Sequence, residues 1–281
     1  MKTKNKFLIV AVLISLSSCD KGIENISFDS TVYIPSNGIR EFAPLLGESI
    51  YQVGLFWAGV NQKESGITVY LKVDADSLAR YNAVNKQANY QLLPEMYYDI
   101  PQTTVNLSDE RSLVDIRFKN IDEWFTDKNY ILPISIESVS PLVNVEAKRK
   151  TIFLHLTRFR NIYEGRYKGF GPITSDDNKI VSKVDKDDFI ATTVNANTIM
   201  VRGAEVTMNI LLTVKNDGTV EVTNAPGSEA FHVKNLVGYE SVYTGEFDHK
   251  YQRTWGVFDL YYQYVLGAAN MYVHVELKSW H

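Results

Sequence analysis

The segment from Tyr243 to Asp259 holds the densest set of chemically useful side chains, with Tyr243, Phe247, Asp248, Tyr251, Arg253, Trp255 and Asp259 close together. Flat aromatic faces pack against the C–H surface of a pyranose, while nearby charged groups hydrogen-bond its hydroxyls. Trp255 is therefore the candidate sugar platform, with Tyr251 as a second ring and Arg253 or Asp259 as hydroxyl partners. Aromatic side chains dominate cores as well, so Trp255 reads either as a platform or as a cap on its domain's core. Trp57, Trp124 and Trp280 read as packing residues.

Catalysis requires a nucleophile with its base, a metal cluster or a placed carboxylate pair. His155, His232, His249, His274 and His281 are scattered and show no His-x-x-x-His spacing, so no zinc site is expected. Asp74 with Asp76, and Asp187 with Asp188, are the pairs that glycoside chemistry would recruit, although surface acids are usually solvated. Asp176-Asp177-Asn178 and Asp185 to Asp188 offer oxygen ligands but lack the spaced glycine of a calcium loop, and read as a solvated acidic loop. Gly165, Gly169 and Gly171 precede Pro172 without a strand-to-helix context, which argues against a phosphate loop. The expectation is a chain with no catalytic residues, no metal and no cofactor, and hence not an enzyme.

Cys19 is the single cysteine. Lys2, Lys4 and Lys6 form a basic start, Phe7 to Leu16 an apolar run, and Leu16-Ser17-Ser18-Cys19 closes it with small residues. A run this short falls below the roughly 20 apolar residues of a spanning helix and has the build of a cleavable secretion signal. The tetrad resembles the lipobox of bacterial lipoproteins, which implies that the Cys19 thiol carries a lipid and becomes the mature N-terminus. With no second cysteine there is no disulfide framework to build. The formal net charge of −4 argues against a general nucleic-acid partner. The one basic run, Lys148-Arg149-Lys150, reads as a solvated turn.

The elements that must position these groups are strands. Ile67, Val69, Leu71 and Val73 alternate with polar residues, as do Val114, Ile116 and Phe118, and Leu132, Ile134 and Ile136. Thr151 to Phe159 is apolar on both faces apart from Thr151, His155, Thr157 and Arg158, and reads as a central strand. A short helix is expected after Val73, capped by Asp76 or Ser77. The texture changes past Arg160. Val206, Met208, Ile210, Leu212 and Val214 alternate inward, Asn216-Asp217-Gly218 turns the chain into Val220 and Val222, and Gly267 to Asn270 joins two closing strands, Phe258–Val265 and Tyr272–Leu277. On the first of these, Phe258, Leu260, Tyr262 and Tyr264 read as core, with Asp259, Tyr261 and Gln263 facing away.

The ordered motifs Val32-Tyr33-Ile34-Pro35, Val53-Gly54-Leu55, Ala58-Gly59, Val73-Asp74-Ala75-Asp76-Ser77-Leu78, Tyr81-Asn82, Tyr90, Leu93-Pro94, Tyr98, Ile100-Pro101 and Tyr130-Ile131-Leu132-Pro133 carry a family resemblance. They resemble the Bacteroidetes surface-lipoprotein domain of unknown function that stands at the N-terminus of many glycan-utilisation proteins, some glycoside hydrolases among them. The chain departs from that pattern at Asp109-Glu110-Arg111, where the family usually has a glycine. The resemblance implies a role at the cell surface and brings no catalytic or binding residues with it.

Together these readings give an all-β chain: a signal peptide over 1–19, a linker over 20–28, an Ig-like antiparallel β-sandwich over 29–157 and an antiparallel meander over 158–281, barrel-like or sandwich. The expected function is a non-catalytic, surface glycan-binding lipoprotein of the outer membrane, taking a polysaccharide or oligosaccharide partner and serving an uptake complex. The alternative is a structural or adhesive subunit that contacts proteins through sheet edges. Cells fed labelled palmitate are expected to label the wild-type protein, and Cys19→Ala is expected to abolish the label and release the protein from membranes; label that persists on the variant contradicts the lipid anchor.

Overall fold

The computed structural model describes residues 30–280 apart from 59–65, 109, 124–127, 141–142, 249–250 and 252. Cys19 and the stretch read above as a signal peptide, together with Asp109, Trp124, His249 and His281, lie outside the described residues.

Alternation of apolar and polar residues builds the first unit as two facing sheets. Its strands are β1 (Thr31–Tyr33), β2 (Gly38–Phe42), β3 (Gly47–Ala58), β4 (Ile67–Val73), β5 (Gln91–Leu92), β6 (Tyr98–Asp99), β7 (Thr104–Leu107), β8 (Arg111–Ile121), β9 (Tyr130–Ser140), β10 (Asn144–Val145) and β11 (Thr151–Leu156). One sheet runs β10-β1-β3-β8-β6, and the other β2-β11-β9-β4-β7 with β5 beside β9. Val53, Leu55, Ile116 and Phe118 from the first meet Val69, Leu132, Ile134 and Leu154 from the second in a buried core, the sandwich that the alternation predicts.

Strand β11 lies between β2 and β9, and Ile152, Leu154 and Leu156 turn into the core. Its outer rings, Phe153 and His155, are covered as well. Phe153 packs against Tyr81 at 5.4 Å and His155 against Tyr90 at 4.8 Å, so the chain following β4 covers that face.

Helix α1 (Ala75–Val84) is capped by Asp74, where the sequence points to Asp76 or Ser77. The Asp74 carboxylate accepts hydrogen bonds from the Ser77 amide at 3.0 Å, the Ser77 hydroxyl at 2.6 Å and the Ser135 hydroxyl at 2.8 Å. Ser135 lies fully buried on β9, so the cap also ties the helix to the middle of the sheet. Burial alone would raise the Asp74 pKa, but the hydrogen bonds from Ser77 and Ser135 outweigh it and hold the carboxyl below its usual range.

The second unit contains β12 (Gly165–Ser175), β13 (Ile180–Thr193), β14 (Thr198–Arg202), β15 (Asn209–Val214), β16 (Val220–Asn224), β17 (Lys234–Asn235), β18 (Val242–Asp248), β19 (Arg253–Leu266) and β20 (Ala269–Ser279). They form one sheet ordered β16-β15-β14-β13-β12-β20-β19-β17, with β18 also on β19. Its two ends meet. The Asn235 amide donates to the Val220 carbonyl at 2.9 Å and accepts from the Val222 amide at 2.6 Å, and the Tyr243 amide donates to the Gly218 carbonyl at 2.8 Å. The sheet thereby curls into a nearly closed barrel around Phe258, Leu260, Tyr262 and Ile210.

Several local expectations change. Val206 is exposed in the turn before β15, which starts only at Asn209. Asp185 to Asp188 sit on strand β13 rather than in an acidic loop. The turn after β19 tightens to Gly267-Ala268, since Leu266 already pairs with Ala269, and Gly267 takes a φ of +64°. Gly165, Gly169 and Gly171 all lie on β12, where a side chain on Gly171 would collide with the β20 backbone at His274. Gly169 and Gly171 serve close strand packing.

Asp74→Ala is expected to lose the helix cap, worth about 1 kcal/mol, and the bond from the Ser135 hydroxyl, worth about 1 kcal/mol more, while Ser135 keeps its 2.7 Å contact with the Thr151 hydroxyl. Because the carboxyl is held below its unfolded value, its contribution is present above about pH 4 and is lost as pH falls through the folded-state pKa. Urea unfolding across pH should show wild type and variant converging at the acid end; a gap that does not change with pH contradicts the assignment.

Candidate functional site

Strand β19 decides what the second unit shows to solvent. Phe258, Leu260, Tyr262 and Tyr264 are all buried, so period-two geometry sends Arg253, Trp255, Val257, Asp259, Tyr261 and Gln263 to the outer face. The strand begins at Arg253, which makes Trp255 a strand residue opposite Glu246 of β18. Gly245 and Gly256 face each other across this hairpin, and a Cβ on either would strike Tyr243, whose ring passes over them toward the core. Burial pushes the Tyr243 hydroxyl up to about 12.

Trp255 is 46% exposed and Tyr251 57% exposed, so Trp255 does not cap the core. The Arg253 guanidinium lies between them, 4.3 Å from the Trp255 ring and 5.0 Å from the Tyr251 ring. Cation–π contact of this kind holds three side chains as one surface, while a stacked guanidinium keeps its N–H donors in plane and directed sideways. The arrangement supplies flat apolar faces bordered by donors, which is what a sugar ring requires.

The structure brings Tyr251, Arg253 and Trp255 together and leaves Asp259 apart. Asp259 is four residues farther along β19, about 13 Å at strand rise, and its carboxylate shares a 2.8 Å hydrogen bond with His274 Nε2. His274 in turn stacks on Tyr261 at 4.2 Å and 10°, and Tyr261 on Tyr239 at 5.2 Å and 19°. The outward parity of Tyr261 is legible in the sequence, but Tyr239 comes from the stretch before β18 and carries no periodic signal.

The remaining candidates are engaged elsewhere. Asp74 caps α1, Asp187 pairs with Lys168 at 3.3 Å and Asp188 with Arg166 at 3.6 Å. Asp176 accepts from the Tyr272 hydroxyl at 2.8 Å. Among the described residues, no three of His, Cys, Asp and Glu are grouped to hold a metal ion, and no helix is long and apolar enough to cross a membrane. Trp57 packs against the first core, and Lys168 Nζ lies 4.6 Å over the ring of Trp280.

Fold and sequence agree on the class of the first unit. Residues 28–143 match the family model "-like, N-terminal domain", and the structure there is all-β. A protein of unknown function from Bacteroides ovatus shares the fold across both units, with a TM-score of 0.54 and 15% identity over 90% of this chain and 95% of that one. A multidomain protein including DUF1735 from the same organism gives a TM-score of 0.41 at 16% identity, over 88% of this chain and 93% of that one. A candidate carbohydrate-binding protein, also from Bacteroides ovatus, gives 0.38 at 15% identity, over 89% and 70% respectively. No curated protein matches the chain.

Because Trp255 stands outside the core, Trp255→Ala is expected to change unfolding free energy by under about 1 kcal/mol. Tyr262→Ala, on the buried side of the same strand, is expected to cost about 3–5 kcal/mol. Urea titrations of the two variants check this, and a large loss at Trp255 returns that residue to a packing role.

Proposed function

We propose that this protein is an outer-membrane lipoprotein, anchored through Cys19, that captures a glycan at the cell surface without hydrolysing it and presents it to an uptake complex. The observation that carries the reading is the exposed Tyr251–Arg253–Trp255 surface on the outer face of the second unit. Aromatic rings left in water at the rim of a barrel, held in place by a cation, add nothing to the core and suit the C–H face of a sugar. The lipobox-like tetrad supports the anchor, and the first unit then acts as a spacer. The absence of catalytic machinery is part of the proposal: the two carboxylate pairs that glycoside chemistry would recruit are a helix cap with its neighbour and two lysine- or arginine-paired surface acids.

One observation favours the adhesive alternative. Strand β13 pairs with β14 only at Thr192 and Thr193, which leaves Ile180 to Asp188 as an edge in which Ile180 and Val181 are exposed. Lys183, Asp185, Lys186, Asp187 and Asp188 along the same edge discourage strand addition, so the glycan reading is preferred.

Calorimetry of the mature protein against a polysaccharide panel tests the reading. Trp255→Ala is expected to weaken binding by about 2 kcal/mol, or about thirtyfold, with an unchanged thermal midpoint. The bound glycan is expected to stay intact on long incubation. Undiminished binding by Trp255→Ala removes the platform, and reducing ends released in proportion to purified protein remove the non-catalytic assignment.

A further inference from the structure

The outer face of β19 does not end at Trp255. Six residues on, about 20 Å at strand rise, Tyr261 emerges on the same side and forms the middle ring of the Tyr239–Tyr261–His274 stack. A Tyr–His contact between neighbouring strands is an ordinary cross-strand pair. Tyr239 is not a strand neighbour: it arrives from the connection between β17 and β18, is 60% exposed, and extends the stack outward. The stack is also fixed in place. Asp259 holds His274, and the Ser241 hydroxyl, two residues after Tyr239, donates to the Tyr261 carbonyl at 3.2 Å and accepts from its amide at 2.8 Å.

Charge along this face is balanced locally. Lys278 pairs with Glu276 at 2.8 Å, Asp259 shares a 2.8 Å hydrogen bond with His274, and Arg253 adds one cation at the Trp255 end, so the face carries acids and bases in equal number without a field of one sign. A uronate or sulfated chain would call for clustered Arg and Lys, whereas this pairing matches an uncharged polyol. We propose that the outer face of β19 is one elongated site for a neutral oligosaccharide, gripped at one end by Trp255 and at the other by the Tyr239–Tyr261–His274 stack. The proposal rests on the glycan reading of Trp255 and adds to it the length and charge of the ligand.

The test uses a neutral polysaccharide from the panel (glucan, xylan, mannan or galactan) cut into a ladder from disaccharide to octasaccharide, with polygalacturonate and chondroitin sulfate as acidic probes. Wild-type affinity is expected to rise about tenfold or more between disaccharide and hexasaccharide. Tyr239→Ala, whose ring is exposed, is expected to keep the melting midpoint and the disaccharide affinity while losing that rise, whereas Trp255→Ala weakens every length. A flat ladder, a rise that survives both Tyr239→Ala and His274→Ala, or binding confined to the acidic probes overturns the elongated neutral site and leaves the Trp255 reading standing. Wild-type protein that binds no member of the panel, or Trp255→Ala that binds every length as wild type does, overturns both.

Discussion

Burial of one side of β19 is the constraint on which the second unit depends. Phe258, Leu260, Tyr262 and Tyr264 are almost wholly removed from water, and Phe258 alone contacts Tyr167 at 5.5 Å and Tyr243 at 4.7 Å. A slip of one residue against β20 would carry Asp259, Tyr261 and Gln263 into the barrel and all four apolar side chains out of it. Register is therefore fixed by the core, and whatever the outer face displays is displayed at positions the core dictates. Trp255 and Tyr261 are exposed for the same reason that Phe258 is buried.

What surrounds the strand refines that display. The Gly245–Gly256 pair lets Tyr243 cross the hairpin, and the Ser279 hydroxyl accepts from the Gly256 amide at 2.7 Å, which pins the backbone beside Trp255. At the far end Ser241 is fully buried, and its own carbonyl accepts from the Val220 amide at 2.8 Å. The connection that bears Tyr239 is thus fastened to β16 on one side and β19 on the other. The bonds that close the barrel are also the ones that position the outermost ring, so fold and surface share their supports.

Much of this was legible from residue alternation, and the failures have physical causes. The first-unit strands were readable because each has one buried face. The cap at Asp74 was missed because Asp74, Asp76 and Ser77 all have capping chemistry, and only the distant Ser135 selects among them. Val206 shares the parity of the β15 core residues, but the strand begins after it, and parity says nothing about where pairing starts. Trp255 stayed ambiguous because polar and glycine neighbours broke the pattern at the start of β19; counted back from Phe258, its parity places it outside. Tyr239 could not be read at all, since its position depends on a ring stack between segments distant in sequence.

At the junction the chain passes directly from the sandwich to the barrel. Arg160 belongs to the sandwich, donating from its side chain to the Ala43 carbonyl at 3.0 Å and from its amide to Pro44 at 2.8 Å, while its own carbonyl accepts from the Leu46 amide at 2.8 Å. The next residue, Asn161, is buried and belongs to the barrel, its side-chain amide donating to the carbonyls of Asn195 and Thr198. Arg158 closes the crossing with a bidentate pair to Glu164, both bonds 2.7 Å, and Glu164 also accepts from the Thr193 amide at 3.1 Å. Burial would raise the Glu164 carboxyl, yet the Arg158 and Thr193 bonds prevail and hold it below the usual carboxylate range. The carboxylate therefore stays ionised until pH falls below the ordinary glutamate value, so that the crossing keeps its charge pair under conditions that neutralise an exposed acid. The change of partner from sandwich to barrel between two consecutive residues leaves no free linker at this point.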